Sequence, residues 1–377
     1  MVKILMVNIP LAGHTNPTLP LAEALVGNGH SVSYVNAEEY RTKIENTGAE
    51  FIPFVNYPDS PTNSQKARMM FRAAYDTAIG LRQKFDLVIY EMFFHPGIKI
   101  ADRLGVPAVR QFAQPAWPKD TMAKASAYFK LTCCLVDYQV MRPRDKAHMN
   151  LGGKTMAEAI VHDKPALNIV YVPRIFQTRV EEFGGDYLFA MPANGTLGFD
   201  PPDDQVIPYE EMASPIVYIS LGSLFNKRSF YKECIRAFGD RNVSVILNTA
   251  RTRVETLGRI PKNVYAYQFV PQIDVLQHCD VFLTHCGMNS VNEAMAYGVP
   301  MVAMPFAGDQ LSNAKRIVEL GIGKQMRSFP SSGKQAFEAV MDVCNDAQIR
   351  QRSAEIQGML RQEASLEEAV DRIEQLL

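Results

Sequence analysis

What the sequence lacks narrows its reading first. Six cysteines are scattered along 377 residues without one Cys-x-x-Cys pair, and the adjacent Cys133 and Cys134 are poorly placed to bridge each other. That pattern argues against a disulfide scaffold or zinc ribbon and fits a reducing, cytoplasmic compartment. No run approaches the roughly 18 uninterrupted apolar residues of a membrane span. The opening "MVKILMVNIPLAG" has a single lysine, no small-residue cleavage site and an apolar run broken by Asn8 and Pro10, so it reads as a buried strand and not a signal peptide. An excess of either charge is missing too: 39 Lys and Arg face 40 Asp and Glu, with no basic stripe or acidic tail, which makes nucleic acid and anionic membrane poor partners. There is no Walker loop, and no G-x-G-x-x-G follows the first strand, so kinase and dehydrogenase readings weaken.

What is present is an alternation. Apolar runs of strand length, "KILMVN", "SVSYVN", "EFIPF", "DLVIYE" and "PAVRQF", are separated by stretches of helix length, and the pattern restarts with "PIVYISLGS", "VSVILN", "NVYAYQFV", "DVFLTHC" and "PMVAMPF". Parallel sheets built from βαβ units carry this signature. Between the halves lies "MPANGTLGFDPPDDQVIPYEEMASP", rich in Pro, Gly and Asp and without clear periodicity. The expected class is therefore α/β, with two doubly wound parallel-sheet domains whose ligands bind at the carboxyl ends of the strands and in a cleft between the domains. The expected division is 1–200, a linker at 201–213, 214–360, and a closing helix within 361–377. The stretch from about Ser60 to Leu167 holds Trp117, the single tryptophan, among many Tyr, Phe and Met. Helices lining a pocket and plain core both account for it.

In "DVFLTHCGMNSVNEAMAYGVPMVAMPFAGDQ" a buried strand ends at Thr284, a glycine-containing turn follows, and a helix is expected from about Asn289. Free N–H groups of a first helical turn and the positive end of the helix dipole bind anions, and Gly287 lets the chain approach closely. His285, Asn289 and Ser290 add side-chain donors, which points to phosphate or pyrophosphate. Simple helix capping by Asn289 and Ser290 is the competing account.

The segment Phe269–Gln310, "FVPQIDVLQHCDVFLTHCGMNSVNEAMAYGVPMVAMPFAGDQ", resembles the donor-binding signature of nucleotide-diphosphate-sugar glycosyltransferases of GT-B fold. "YISLGSLFNKRSFYKECIRAFGD" and "GHTNPTLPLAEALVGNGHSVSYV" resemble the bacterial macrolide-glycosyltransferase branch. The resemblance implies GT-B architecture, two Rossmann-like domains facing a cleft, with acceptor bound by the first and nucleotide sugar by the second. It implies that Phe269, where the family commonly has tryptophan, stacks on the uracil ring, with Val270 beside it, and that Gln272 meets the base edge. Glu293 would accept hydrogen bonds from ribose hydroxyls, being one helical turn beyond the Asn-Ser pair. His285, Gly287, Asn289, Ser290 and Ser223 would hold the diphosphate, and Asp309 and Gln310 the sugar hydroxyls. Taken alone, Glu293 also fits a solvated helix face and Phe269 a core position.

In "PLAGHTNPTLPLAEAL" Asn16 suits an N-cap and Pro17 a first helical position, which leaves His14 on the loop after the first strand. With a reference pKa of about 6.5, a histidine there can remove a proton from a hydroxyl, or it can merely bond backbone. The resemblance favours the catalytic role and implies an orienting aspartate after a later strand. Here "DLVIYEMFFHPG" puts Glu91 at that position, a side chain one methylene longer, and the carboxylate is displaced by about 1.5 Å. His95, four residues on, competes for the same carboxylate.

The implied activity is an inverting, metal-independent transfer of a hexose, glucose first, from a UDP-sugar to a hydroxyl of a small lipophilic acceptor, with no other cofactor and a monomer or weak dimer as the working unit. The absence of Asp-x-Asp accords with the expectation of no metal. A nucleotide-sugar epimerase or hydrolase, and a non-catalytic nucleotide-sugar binder, are the alternatives.

Overall fold

Strands that are apolar at nearly every position must be covered on both faces. A computed structural model describes residues 1–190, 206–222, 227–327, 331–362 and 365–377, the side chain of Tyr128 excepted. It divides into two units, Met1–Leu197 with Glu363–Leu377, and Gly198–Gln362. In the first unit seven strands lie side by side: β1 (Lys3–Val7), β2 (Ser31–Asn36), β3 (Glu50–Pro53), β4 (Leu87–Glu91), β5 (Ala108–Phe112), β6 (Leu167–Val170) and β7 (Tyr187–Phe189). They pair in parallel in the order β3-β2-β1-β4-β5-β6-β7. Alternate residues of β1 feed different cores. Ile4 and Met6 pack with Leu19, Leu25 and Tyr34, while Leu5 and Val7 pack with Phe71, Tyr90 and Phe94.

The closing helix Leu366–Glu374 belongs to this first unit. Its Leu366, Ala369, Val370 and Ile373 enter the core beside Leu21 and Leu25, and His30 Nε2 lies 2.9 Å from Glu374 Oε1. Each fully buried Val or Ile on such a face contributes about 1.5–3 kcal/mol, which far outweighs the exposed polar contacts in holding the helix there.

The second unit is a six-stranded parallel sheet: β8 (Ile216–Ser220), β9 (Ser244–Asn248), β10 (Val264–Tyr267), β11 (Val281–Thr284), β12 (Met301–Ala303) and β13 (Gly323–Gln325), ordered β10-β9-β8-β11-β12-β13. Its core gathers Val217, Ile219, Val245, Leu247, Val281, Leu283 and Val302 under Phe230, Phe238 and Val340. In both sheets the strand order reverses once, between β1 and β4 and between β8 and β11. Such switch points open a crevice at the carboxyl ends of the strands.

The two parallel sheets match the expected class, and every strand expected from the sequence is present. Three others, β6, β7 and β13, were not foreseen. β6, LNIV, has a polar residue inside it, β7 is the three-residue YLF, and β13, GKQ, has no apolar side chain, so none of them stands out as an apolar run. Among the described residues no helix is long and apolar enough to cross a membrane.

Candidate active site

The crevice of the first unit is built by polar residues placed at strand ends. Asn8, just past β1, donates through its side-chain amide to the His14 carbonyl (3.1 Å), Thr18 Oγ1 (3.0 Å) and Tyr34 Oη (2.9 Å). Asn36, at the end of β2, donates to Thr15 Oγ1 at 3.1 Å. These buried bonds clamp the chain after β1 into a helical turn, Ala12–Thr15, which continues through a 3-10 turn, Asn16–Thr18, into the helix Leu19–Gly27. The expected cap at Asn16 is therefore wrong. The Leu11 carbonyl already accepts the His14 and Thr15 N–H groups, at 2.9 and 2.8 Å, so the helical turn begins five residues earlier with His14 inside it.

That turn brings His14 to Glu91, the last residue of the neighbouring strand β4. Nδ1 lies 2.8 Å from Glu91 Oε1, with the histidine side chain 19% exposed and the glutamate fully buried. Because a carboxylate only accepts, Nδ1 carries the proton and Nε2 is the basic nitrogen. Glu91 Oε2 accepts the Phe93 N–H at 2.8 Å, which fixes the carboxylate, and the Phe93 ring sits 5.0 Å from the imidazole. The longer glutamate thus closes the distance. His95 does not compete for it: the ring is 3% exposed at the start of the helix Pro96–Leu104, burial pushes its pKa down to about 4, offset in part by the Phe93 backbone, and neither nitrogen has a hydrogen-bond partner of good geometry among the described residues. Asp86, at the other end of β4, caps the Lys3 N–H at 2.8 Å.

In the second unit the turn after β11 carries His285, and its place is made by two glycines. A Cβ on Gly222, which has φ +73° just beyond β8, would lie 2.7 Å from the imidazole Nε2, and one on Gly287 would lie 2.5 Å from the same atom. The ring fills the space both leave vacant. Burial lowers its pKa to about 4, offset in part by the Ser220 backbone, and its Nδ1 has no hydrogen-bond partner of good geometry among the described residues. Between them Cys286 takes φ +66°, an uncommon conformation for a non-glycine, with its carbonyl accepting from Asn313 Nδ2 at 3.0 Å. The helix starts at Met288, one residue earlier than expected, with Gly287 as N-cap and no side chain capping it. Asn289 and Ser290 are consequently in its first turn and do not cap it.

One turn on, Glu293 is linked to Gln272, the first residue of the helix Gln272–His278. Gln272 Nε2 donates to a Glu293 carboxylate oxygen and, at 3.1 Å, to Ser290 Oγ. Burial lifts the Glu293 carboxyl to about 7, while the Gln272 donation lowers it. Phe269 is partly buried and Val270 buried between β10 and this helix. Asp309 opens the helix Asp309–Glu319, and Gln310 Oε1 accepts the Phe306 N–H at 2.9 Å, so that oxygen is engaged by its own loop. Ser223 lies outside the described residues.

Sequence reasoning missed Asn8, Phe93, Tyr218 and Asn36. A lone asparagine closing an apolar strand, twice, was the available signal. The tryptophan region forms helices, among them Ala127–Val140, beside a cavity of about 350 Å³ lined by Asp137, Tyr138, Met141 and Lys146; neither Trp117 nor His14 lines it.

Comparison with known proteins adds to this geometry. A family model described as UDP-glucoronosyl and UDP-glucosyl transferase matches residues 201–360. The chain is 30% identical to the NDP-glycosyltransferase YjiC of Bacillus licheniformis, over 99% of this chain and 97% of that protein. It is 27% identical to the oleandomycin glycosyltransferase of Streptomyces antibioticus, over 98% of this chain and 90% of the other. The crystal structure of the glycosyltransferase of kitacinnamycin aligns with a TM-score of 0.81 at 26% identity, covering 100% of this chain and 99% of its own.

Proposed function

The chain belongs to the UDP-glucoronosyl and UDP-glucosyl transferase family, in its GT-B architecture, and on that premise we propose that it is an inverting, metal-independent hexosyltransferase acting on a hydroxyl of a small lipophilic natural product. The observation that carries this reading is the pair His14–Glu91 at the β1/β4 switch point, 2.8 Å apart, one side chain partly exposed and the other fully buried.

His14 Nε2 takes the acceptor proton as the acceptor oxygen attacks the anomeric carbon. The bond from that carbon to the departing phosphate oxygen breaks, UDP leaves, and an α-linked donor becomes a β-glycoside. Glu91 keeps the imidazole in the productive tautomer and meets the imidazolium that forms. Charge growing on the diphosphate is met by N–H groups at the start of Met288–Ala296 and by His285, which are oriented before reaction and call on no metal. Glu293 holds the ribose of UDP with Gln272 between it and the base edge, Ser290 the diphosphate, Phe269 the base, and Asp309 with the Gln310 amide the sugar, for which glucose is the first donor to try. The oleandomycin enzyme's name supports a macrolide-like acceptor.

The test is incubation of the purified protein with UDP-glucose and a panel of lipophilic alcohols and phenols, with products read by mass and anomeric configuration by proton coupling. A β-glycoside is expected from several of them. An α-glycoside would overturn inversion, and sugar turnover without acceptor would favour the epimerase or hydrolase alternative.

A further inference from the structure

A tyrosine in the middle of an apolar strand needs a reason for its hydroxyl. Tyr218 is fully buried in β8, with its ring stacked on Phe282 of β11 at 4.6 Å and 15°, a contact phenylalanine would make equally well. Its oxygen accepts from Asn248 Nδ2 at 3.4 Å, from the end of β9, has the Ser220 side chain beside it at the end of its own strand, and donates to Gln272 Oε1 at 3.0 Å. A carboxamide is planar, so once Oε1 is held by Tyr218 the amide nitrogen points the opposite way, toward Ser290 and Glu293. The polar chain Asn248, Tyr218, Gln272, Glu293 therefore runs from the sheet interior to the helix behind the anion-binding turn.

We infer that Tyr218 is a positioning residue of the nucleotide site, its hydroxyl holding Gln272 in the one orientation that presents a donor to Glu293. The inference rests on the reading of Glu293 as the ribose-binding carboxylate. Without the tyrosine hydroxyl the amide can flip at little cost and turn its oxygen on Glu293, two acceptors face to face. Glu293 accepts from Gln272, a neutral group whose amide also donates to Ser290, with Tyr218 the titratable group behind them, and among the described residues Glu293 forms no ion pair. Gln272 is thus the group that favours its ionised form, and ribose hydroxyls donate best to that form.

The experiment is UDP binding by calorimetry at several pH values between about 6 and 9, on the full chain and on Tyr218→Phe, Gln272→Ala and Glu293→Gln, with steady-state transfer alongside. Tyr218→Phe is expected to weaken UDP by about 3- to 10-fold, to raise the pH at which affinity levels off, and to leave kcat within about 2-fold. In the Gln272→Ala background it should add nothing. Gln272→Ala, which leaves the core intact, should show the same upward pH shift even if Tyr218→Phe folds poorly. If Tyr218→Phe folds and binds like the unaltered chain at every pH while Glu293→Gln is impaired, the positioning role is overturned. If Glu293→Gln also binds normally, the nucleotide reading of this site fails first.

Discussion

Two histidines occupy corresponding places in the two sheets, each at the switch point where the strand order reverses, and they are furnished in opposite ways. His14 follows β1 and meets the buried Glu91 of β4. His285 follows β11 and lies against Gly222 beyond β8 and against Gly287, with no carboxylate bonded to it among the described residues. An imidazole backed by a carboxylate can accept a proton and have the resulting charge met. A buried imidazole with its pKa pushed down to about 4 stays neutral across the physiological range and offers a hydrogen bond without taking up a proton. Similar topology thus yields a carboxylate-backed imidazole in one unit, the base of the proposed reaction, and a fixed neutral group in the other, the difference lying in what the adjacent strand supplies.

The sharpest way to break this comparison is to remove the base. His14→Ala is expected to lower kcat for transfer by roughly 10²- to 10⁴-fold while UDP binding stays unchanged, since the proposal assigns the nucleotide to the other unit. Product formation and calorimetry on the same preparation check it. Residual transfer within a few-fold of the unaltered chain would mean that the two histidines are less different than their surroundings suggest.

Next comes the carboxylate. Glu91→Gln replaces an acceptor by a group that can donate to Nδ1 and so favours the unproductive tautomer; a loss of about 10²-fold in kcat is expected, with little change in donor KM. Glu91→Asp retracts the carboxylate by about 1.5 Å and should fall between the two. Single-turnover rates across the three variants give the order.

Gly222→Ala probes the second histidine. The new Cβ would stand 2.7 Å from the imidazole, at a φ of +73° that alanine rarely adopts. Displacing the ring should weaken UDP by about 10-fold and cost about 1–3 kcal/mol of stability, read by calorimetry and denaturant titration.

How far such differences could be read from the chain depends on range. The strands were legible because short apolar runs, buried at all five positions in β4, β5 and β8, alternate with stretches of helix length and are bounded by turn residues, and the turn "THCGMNS" because its residues are adjacent in sequence. The position of His14 just after β1 was legible, but its helical turn was not, since Asn8 and Asn36 impose it from strand ends 6 and 21 residues away from the groups they bind. Whether Glu91 reaches His14 turned on the register of β1 beside β4, across 77 residues of sequence. The Gln272–Glu293 link joins two helices and depends on a buried tyrosine in a third element, which no spacing rule encodes.

The smallest expected effect is on stability, and its sign separates the two units. Below pH 6.5 an unfolded histidine binds a proton that buried His95 and His285, with pKa values near 4, refuse, so each lowers stability as pH falls from about 6.5 toward 4. Glu293 works in reverse. Lifted from 4.5 to about 7, its carboxyl binds a proton in the folded chain that the unfolded chain has already lost, so it lowers stability as pH rises from about 4.5 through 7. In the second unit the two trends oppose each other; in the first, His95 has no such counterweight among the shifts resolved there. Glu293→Gln removes the counterweight. Relative to the unaltered chain, that variant should gain about 1 kcal/mol at pH 8, after allowance for solvent screening of a partly exposed carboxyl, and the gain should fade by pH 5. Thermal unfolding should show this as a Tm difference of about 2–4 °C that closes on acidification. A difference that stayed constant with pH would mean Glu293 is ionised throughout this range, and that its burial does not set the chemistry of the proposed ribose contact.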